Sequence, residues 1–440
     1  MSESKSLTLP QVKRMLKRNK KKEVCQTIDN CLVVLRNDPV LQDAIRQNIL
    51  TDRQDIVKDV GWLRSSTTIT DTDYQYIMHY LEHNYGLSVE KKIQAAVKII
   101  ANENQFHPIR DYLSALRWDG EERLPYALSK YLGAEPCAYT TEVLKVFMLG
   151  AISRVFQPGI KFDYMLCLAG GQGAGKSTFF RFLALKDEWF TDDLKHIDKD
   201  DVYLQMRGHW IIEMSEMLAT ANAKSIEEIK SFISRMKETY RTPYDKFPKD
   251  RLRQCVFGGT TNTLSFLPLD RTGNRRFLPV PLHREKAEIH LLANEPASRA
   301  YIEQLWAEVM DIYRSGNFSL DLSPEMEAEA ERLRREFMPE DPKAGMIQAF
   351  LDSYTGKHVC TQLLYKEALK NEFSKPKDWE LKEIGDIMNN SVTGWQKCKN
   401  QRYAEYGTQR SWCRIPKEEP TVEQLEFPVI EDADIPTEWD

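Results

Sequence analysis

The sequence predicts an α/β core flanked by a helical N-terminal region and a small C-terminal α+β domain. The core is expected from three strand-length apolar runs, FDYMLCLAG (162–170), HWIIEMSEM (209–217) and RQCVFGGTTN (253–262), separated by helix-like sequence; such alternation builds parallel sheets covered on both faces. The flanks are expected because 440 residues exceed one ordinary hydrophobic core. Near the C-terminus, two short helical patterns precede a run that reads as a hairpin.

Hydrophobic residues at 42% and charged residues at 29% are those of a folded globular chain. No stretch approaches the roughly 18 apolar residues of a spanning helix, and MSESKSLTLP lacks a signal-peptide core, so a cytoplasmic protein with no membrane partner is expected. The eight cysteines form no CxxC pair, which argues against a disulfide framework or a zinc module. Net charge is −5 but uneven: Lys13 to Lys22 is a basic run, while the tail beyond Lys417 is acidic.

Residues 1–115 read as a helical accessory region, with amphipathic pieces such as YQYIMHYLEHNYG and KKIQAAVKIIANEN. A helical lead-in, 116–160, ends at Pro158-Gly159 and opens the core domain, 116–320. The charged helix SPEMEAEAERLRREFMPEDP suggests a linker over 321–345. Residues 346–416 follow, with helices in TQLLYKEALKNEF and WELKEIGDIMNN and a basic, aromatic hairpin over 395–415 turning near Gly407. This pattern suits a winged helix and other small α+β domains alike; 417–440 is an acidic tail.

Between the first strand and its helix, Gly170-Gly171-Gln172-Gly173-Ala174-Gly175-Lys176-Ser177 satisfies GxxxxGK[ST], with Thr178 next. Glycines let backbone N–H groups turn around phosphate oxygens at a helix N-terminus. Lys176 would reach the β- and γ-phosphates and Ser177 would ligate Mg²⁺, so the motif predicts Mg²⁺ and ATP binding. Trp210 to Glu216 supplies acids at the end of the second strand: Glu213 as the metal partner, Glu216 as the candidate that polarises the attacking water. Asn262, closing the third strand, is the candidate γ-phosphate sensor. Arg275 and Arg276, in DRTGNRRF, offer an arginine finger, for which a forked guanidinium suits developing phosphate charge. His79-Tyr80-Leu81-Glu82-His83 matches an inverted zinc-peptidase pattern over five residues only, and no third ligand accompanies it.

From FHPIRDYLSALRWDG (106–120) through the glycine loop to YRTPYD, GTTN and TGNRRF (229–280), the chain resembles the virulence-associated protein E family of phages and pathogenicity islands. The resemblance implies an AAA+-like P-loop ATPase core similar to superfamily 3 helicases, which work as oligomeric rings on DNA and are often coupled to a primase; a homo-oligomeric ring acting in DNA replication is expected, with a hexamer among the candidate sizes. It implies single-stranded or forked DNA as partner, with Lys230, Lys237 and Arg241 as phosphate contacts carried over by position, and it places the family's paired arginines on Arg275 and Arg276. No carboxylate motif for priming occurs in the first hundred residues, so a primase would be a separate partner. Two other readings stay open: a P-loop small-molecule kinase, and an ATP-switched DNA-binding regulator without helicase activity.

Overall fold

The computed structural model describes residues 7–194, 197, 202–215, 223–241, 248–263, 265–267, 269, 274–371 and 373–416, the side chains of 223–225 aside. The chain divides into two units, Met1–Pro339 and Glu340–Asp440.

In the first unit, helices Ile28–Asn37, Asp71–Tyr85 and Glu90–Glu103 enclose an N-terminal core that includes Val34, Ile77, Leu81 and Val97. The expectation of a helical region over 1–115 needs correction, because a three-stranded sheet runs through it. Strands β1 (Ile45–Asn48) and β2 (Arg53–Ile56) pair antiparallel, and β3 (Gln105–Phe106) joins β1 in parallel. IRQN and RQDI are short and polar, so no period-2 apolar signal announces them. The boundary at 115 also moves, since Ile109 and Leu113 of helix Pro108–Ala115 belong to the main core.

That core surrounds five parallel strands: β4 (Met165–Ala169), β5 (Phe190–Thr191), β6 (Ile211–Ser215), and, after a separate antiparallel hairpin of β7 (Lys237–Tyr240) and β8 (Lys249–Leu252), β9 (Val256–Thr261) and β10 (Phe277–Pro281). Their order is β10-β4-β9-β6-β5. All five residues of β4 are buried, as expected where helices cover both faces. Helix Ala138–Phe156 is apolar nearly all round and correspondingly buried. Trp210 before β6 and Trp306 of helix Glu295–Ser315 pack with ring centroids 4.5 Å apart.

The linker expected over 321–345 is a second correction. Helix Pro324–Glu336 places Ala330 and Leu333, with Phe337 after it, in the main core and packs Met326 against it. Its apolar residues recur at helical spacing beneath a charged exterior, so composition alone made it look unattached.

The second unit has its own core around Ile347, Leu364, Ile384 and Trp412. Helices Pro342–Ser353 and Asp378–Asn390 pack with an antiparallel sheet of β11 (His358–Cys360), β12 (Trp395–Tyr403) and β13 (Gly407–Arg414), ordered β11-β13-β12. The β12–β13 hairpin is the one expected over 395–415, and Lys397, Lys399, Arg402 and Arg410 are exposed on it. The acidic tail 417–440 lies outside the described residues. No described helix is long and apolar enough to cross a membrane.

Candidate functional site

Because β4, β6 and β9 run in parallel, their carboxyl ends come together, and in open α/β sheets that edge is where ligands bind. The chain leaves β4 at Ala169 and turns through 170–175 into helix Lys176–Leu183. Gly175 takes φ +83°, ψ +12°, a left-handed conformation that glycine adopts without strain, so the turn can present backbone N–H groups ahead of the helix. Gly170 N–H donates to the Thr261 carbonyl at 3.1 Å, tying the loop to the end of β9. Gly171, Gln172 and Gly173 are exposed, Thr178 is half-buried, and Ala174 is buried beneath the turn.

Lys176 is buried at 8% exposure, and its ammonium donates to the carbonyls of Gly170 (2.7 Å) and Gly171 (2.9 Å) and to Asn262 Oδ1 (2.8 Å). Lys176 and Asn262 thus meet, although 86 residues separate them. Beside them Ser177 Oγ donates to Glu213 Oε1 at 2.7 Å, and Thr260 Oγ1 donates to the same oxygen. Glu213 is fully buried, and its Oε2 has no hydrogen-bond partner among the described residues. Burial pushes the Glu213 carboxyl above the usual carboxylate range, opposed by the hydrogen bonds from Thr260 and Ser177. An orphaned carboxylate oxygen next to a serine hydroxyl is a donor set that suits Mg²⁺, which takes hard oxygen ligands and keeps several waters.

The remaining candidates separate. Glu216 lies outside the described residues. Arg276 is half-buried: its Nε donates to Ser234 Oγ at 2.7 Å and lies 3.5 Å from Asp163 Oδ2. Arg275, one residue earlier, is exposed. Lys237 lies on β7, exposed and paired with Asp250 at 2.5 Å, and Arg241 is exposed just beyond the strand. Lys230 is a correction: at 3% exposure in helix Ala223–Ile233, beside buried Ile226, Ile229 and Ile233, it donates to Glu227 at 2.9 Å and presents no ammonium to an external phosphate.

Two residues escaped sequence reasoning. Thr260 was legible only as part of GTTN; the register Ser215↔Thr260 brings it to Glu213. Arg284, in the short helical turn after β10, is exposed, with its Nη1 3.0 Å from where a Cβ on Gly173 would stand. His79 and His83 stand 6.0 Å apart, and no described group of three His, Cys, Asp or Glu residues is placed to hold a metal ion.

A family model described as the virulence-associated protein E-like domain matches residues 113–339. No curated protein matches the chain. Among solved structures, two apo forms of the NrS-1 C-terminal region match at 13% identity and TM-score 0.44, covering 84% of this chain and 96% of theirs. A third form of that region matches at 12% and 0.42.

Proposed function

The chain belongs to the virulence-associated protein E-like family, and on that premise we propose that it binds Mg-ATP at 170–178 and hydrolyses it to act on DNA during replication of a mobile element. One observation carries the reading: Lys176, Ser177, Glu213 and Asn262 converge toward the carboxyl edge of a parallel sheet, Lys176 and Ser177 from the helix start after the β4 turn, Glu213 from within β6 and Asn262 from just beyond β9. A lysine that donates to the Gly170 and Gly171 carbonyls and to the Asn262 amide oxygen can turn its ammonium to β- and γ-phosphate oxygens. Glu213 and Ser177 would hold Mg²⁺, which when bound offsets phosphate charge, while Asn262 reports on the γ-phosphate. Glu216 is proposed to polarise the attacking water.

The contrast between anchored Arg276 and exposed Arg275 supports an oligomeric reading, in which Arg275 reaches a neighbouring subunit's nucleotide within a ring. For DNA, the exposed Lys237 and Arg241 and the basic hairpin of the second unit, whose two helices and hairpin suit a winged-helix-like domain, are the contacts. The AAA+-like core and the helicase-like activity rest on the family likeness and on this edge geometry together.

The test is ATP turnover with and without single-stranded DNA, read alongside native mass. Lys176→Ala should lose nearly all turnover while keeping the thermal midpoint within a few degrees. Turnover at the wild-type rate in that variant would remove the assignment of the loop.

A further inference from the structure

Away from the glycine loop, the first unit holds a cleft of about 960 Å³. Its walls are the β1–β2 turn, the segment Met206–His209, and the foot of the β7–β8 hairpin. Its charges do not balance. Asp52 takes both Lys249 (2.8 Å) and Arg251 (2.9 Å), Glu238 is spent on buried Arg253, and Asp250 on Lys237 (2.5 Å). The side chains of Arg53 and Arg207, which also line the cleft, have no ion-pair or hydrogen-bond partner among the described residues. Arg207 is half-buried, and burial first, then the positive charge of Arg53, holds its guanidinium below its ordinary pKa. A cation desolvated among other cations costs free energy that an anion would recover.

The cleft also offers rings. Tyr203 and Tyr240 stack at 5.6 Å with 16° between planes, and the Arg251 guanidinium lies 4.3 Å over Tyr240. Positive grooves with aromatic faces hold single-stranded nucleic acid by phosphate neutralisation and base stacking. A lone phosphate would leave most of 960 Å³ unfilled. Tyr240 ends β7 and Arg241 follows it, so the cleft is continuous with the hairpin that carries Lys237 and Arg241.

We propose that this cleft is a second nucleic-acid contact, which holds the phosphodiester backbone of a single strand on Arg53 and Arg207 with bases against the Tyr203–Tyr240 pair. The proposal rests on the DNA reading above but not on ATP hydrolysis.

The test uses the full chain and a fluorescein-labelled oligo(dT), followed by anisotropy across a salt series. Arg53→Ala/Arg207→Ala should weaken binding at least tenfold and flatten the log–log salt dependence by about 1.4, from about 0.7 per lost single-strand phosphate contact. Tyr203→Ala should weaken binding with the slope unchanged, because stacking releases no counterions. Binding of a fluorescent ATP analogue should be unaffected, and the double variant should keep or raise the thermal midpoint, as relief of an unpaired cation implies. Wild-type affinity and slope in the double variant overturn the proposal. So does a site that inorganic phosphate empties at millimolar concentration without regard to the oligonucleotide, and so does equal loss for a blunt duplex. If the wild type hydrolyses ATP yet binds no oligonucleotide, the cleft proposal falls and the ATPase reading stands.

Discussion

Adding a single methyl at Gly258 should damage both the fold and the nucleotide site. Gly258 lies in β9 opposite Leu166 of β4 and Glu213 of β6. A Cβ there would stand 2.4, 2.5 and 2.8 Å from three ring carbons of Phe180. Carbon contacts settle near 3.5–4.0 Å, so the ring would have to retreat by about 1 Å. Phe180 is fully buried and packs edge-on against Phe147 at 6.0 Å, which leaves it little room. Overpacking of this kind costs about 1–3 kcal/mol. In a unit running from Met1 to Pro339 about 2 kcal/mol lowers the thermal midpoint by about 3 °C. Phe180 shares its helix with Lys176 and Ser177, so the retreat also shifts the ammonium and the hydroxyl at the helix start. Gly258→Ala should therefore lose ATP affinity as well as stability. The assay is a double-mutant cycle with Phe180→Leu, read by thermal unfolding and nucleotide binding. The smaller side chain should recover part of the loss, with a coupling of about 1 kcal/mol or more. Additive losses, or an unchanged midpoint in Gly258→Ala, would refute the contact and the route from it to the loop.

The adjacent arginines should part company. Arg276→Ala should cost about 1–2 kcal/mol of stability by stripping Ser234 and Asp163 of a charged partner. Arg275→Ala should leave the midpoint in place and lose turnover, and mixing it with Lys176→Ala should restore part of the activity; no recovery in mixed oligomers that do form would exclude action between subunits. The raised pKa of Glu213 sets a pH signature. The folded state holds that proton more tightly than the unfolded chain, so the group's contribution to apo stability is present below the ordinary carboxylate range and lost as pH rises through the raised value. Mg²⁺ needs the deprotonated form, so Mg²⁺-dependent nucleotide affinity should weaken on acidification from higher pH than an ordinary carboxylate would dictate. Glu213→Gln should remove that dependence, and an unchanged profile in the variant would assign it to another group.

What the sequence determined by itself was everything encoded over a few consecutive residues. The glycine loop needs its backbone conformations in one order, and a strand buried on both faces must be apolar throughout, so 170–177, β4, β6 and β9 were legible at once. The β12–β13 hairpin declared itself likewise, through a local turn between two facing runs. Tertiary structure decided which side chains meet. Parallel register sets Thr260 and Ser177 on one oxygen of Glu213 and brings Asn262 to Lys176, pairings that no sequence spacing states. It also decided that Arg276 is anchored while Arg275 is exposed, and that Lys230 is buried although its sequence suits a solvated helix face. The N-terminal sheet stayed hidden because β1 and β3 pair across a long stretch of helix, and helix Pro324–Glu336 looked like a linker until its apolar stripe found the core. Burial and partner choice are set by elements distant in the chain, so they exist only once the chain has folded.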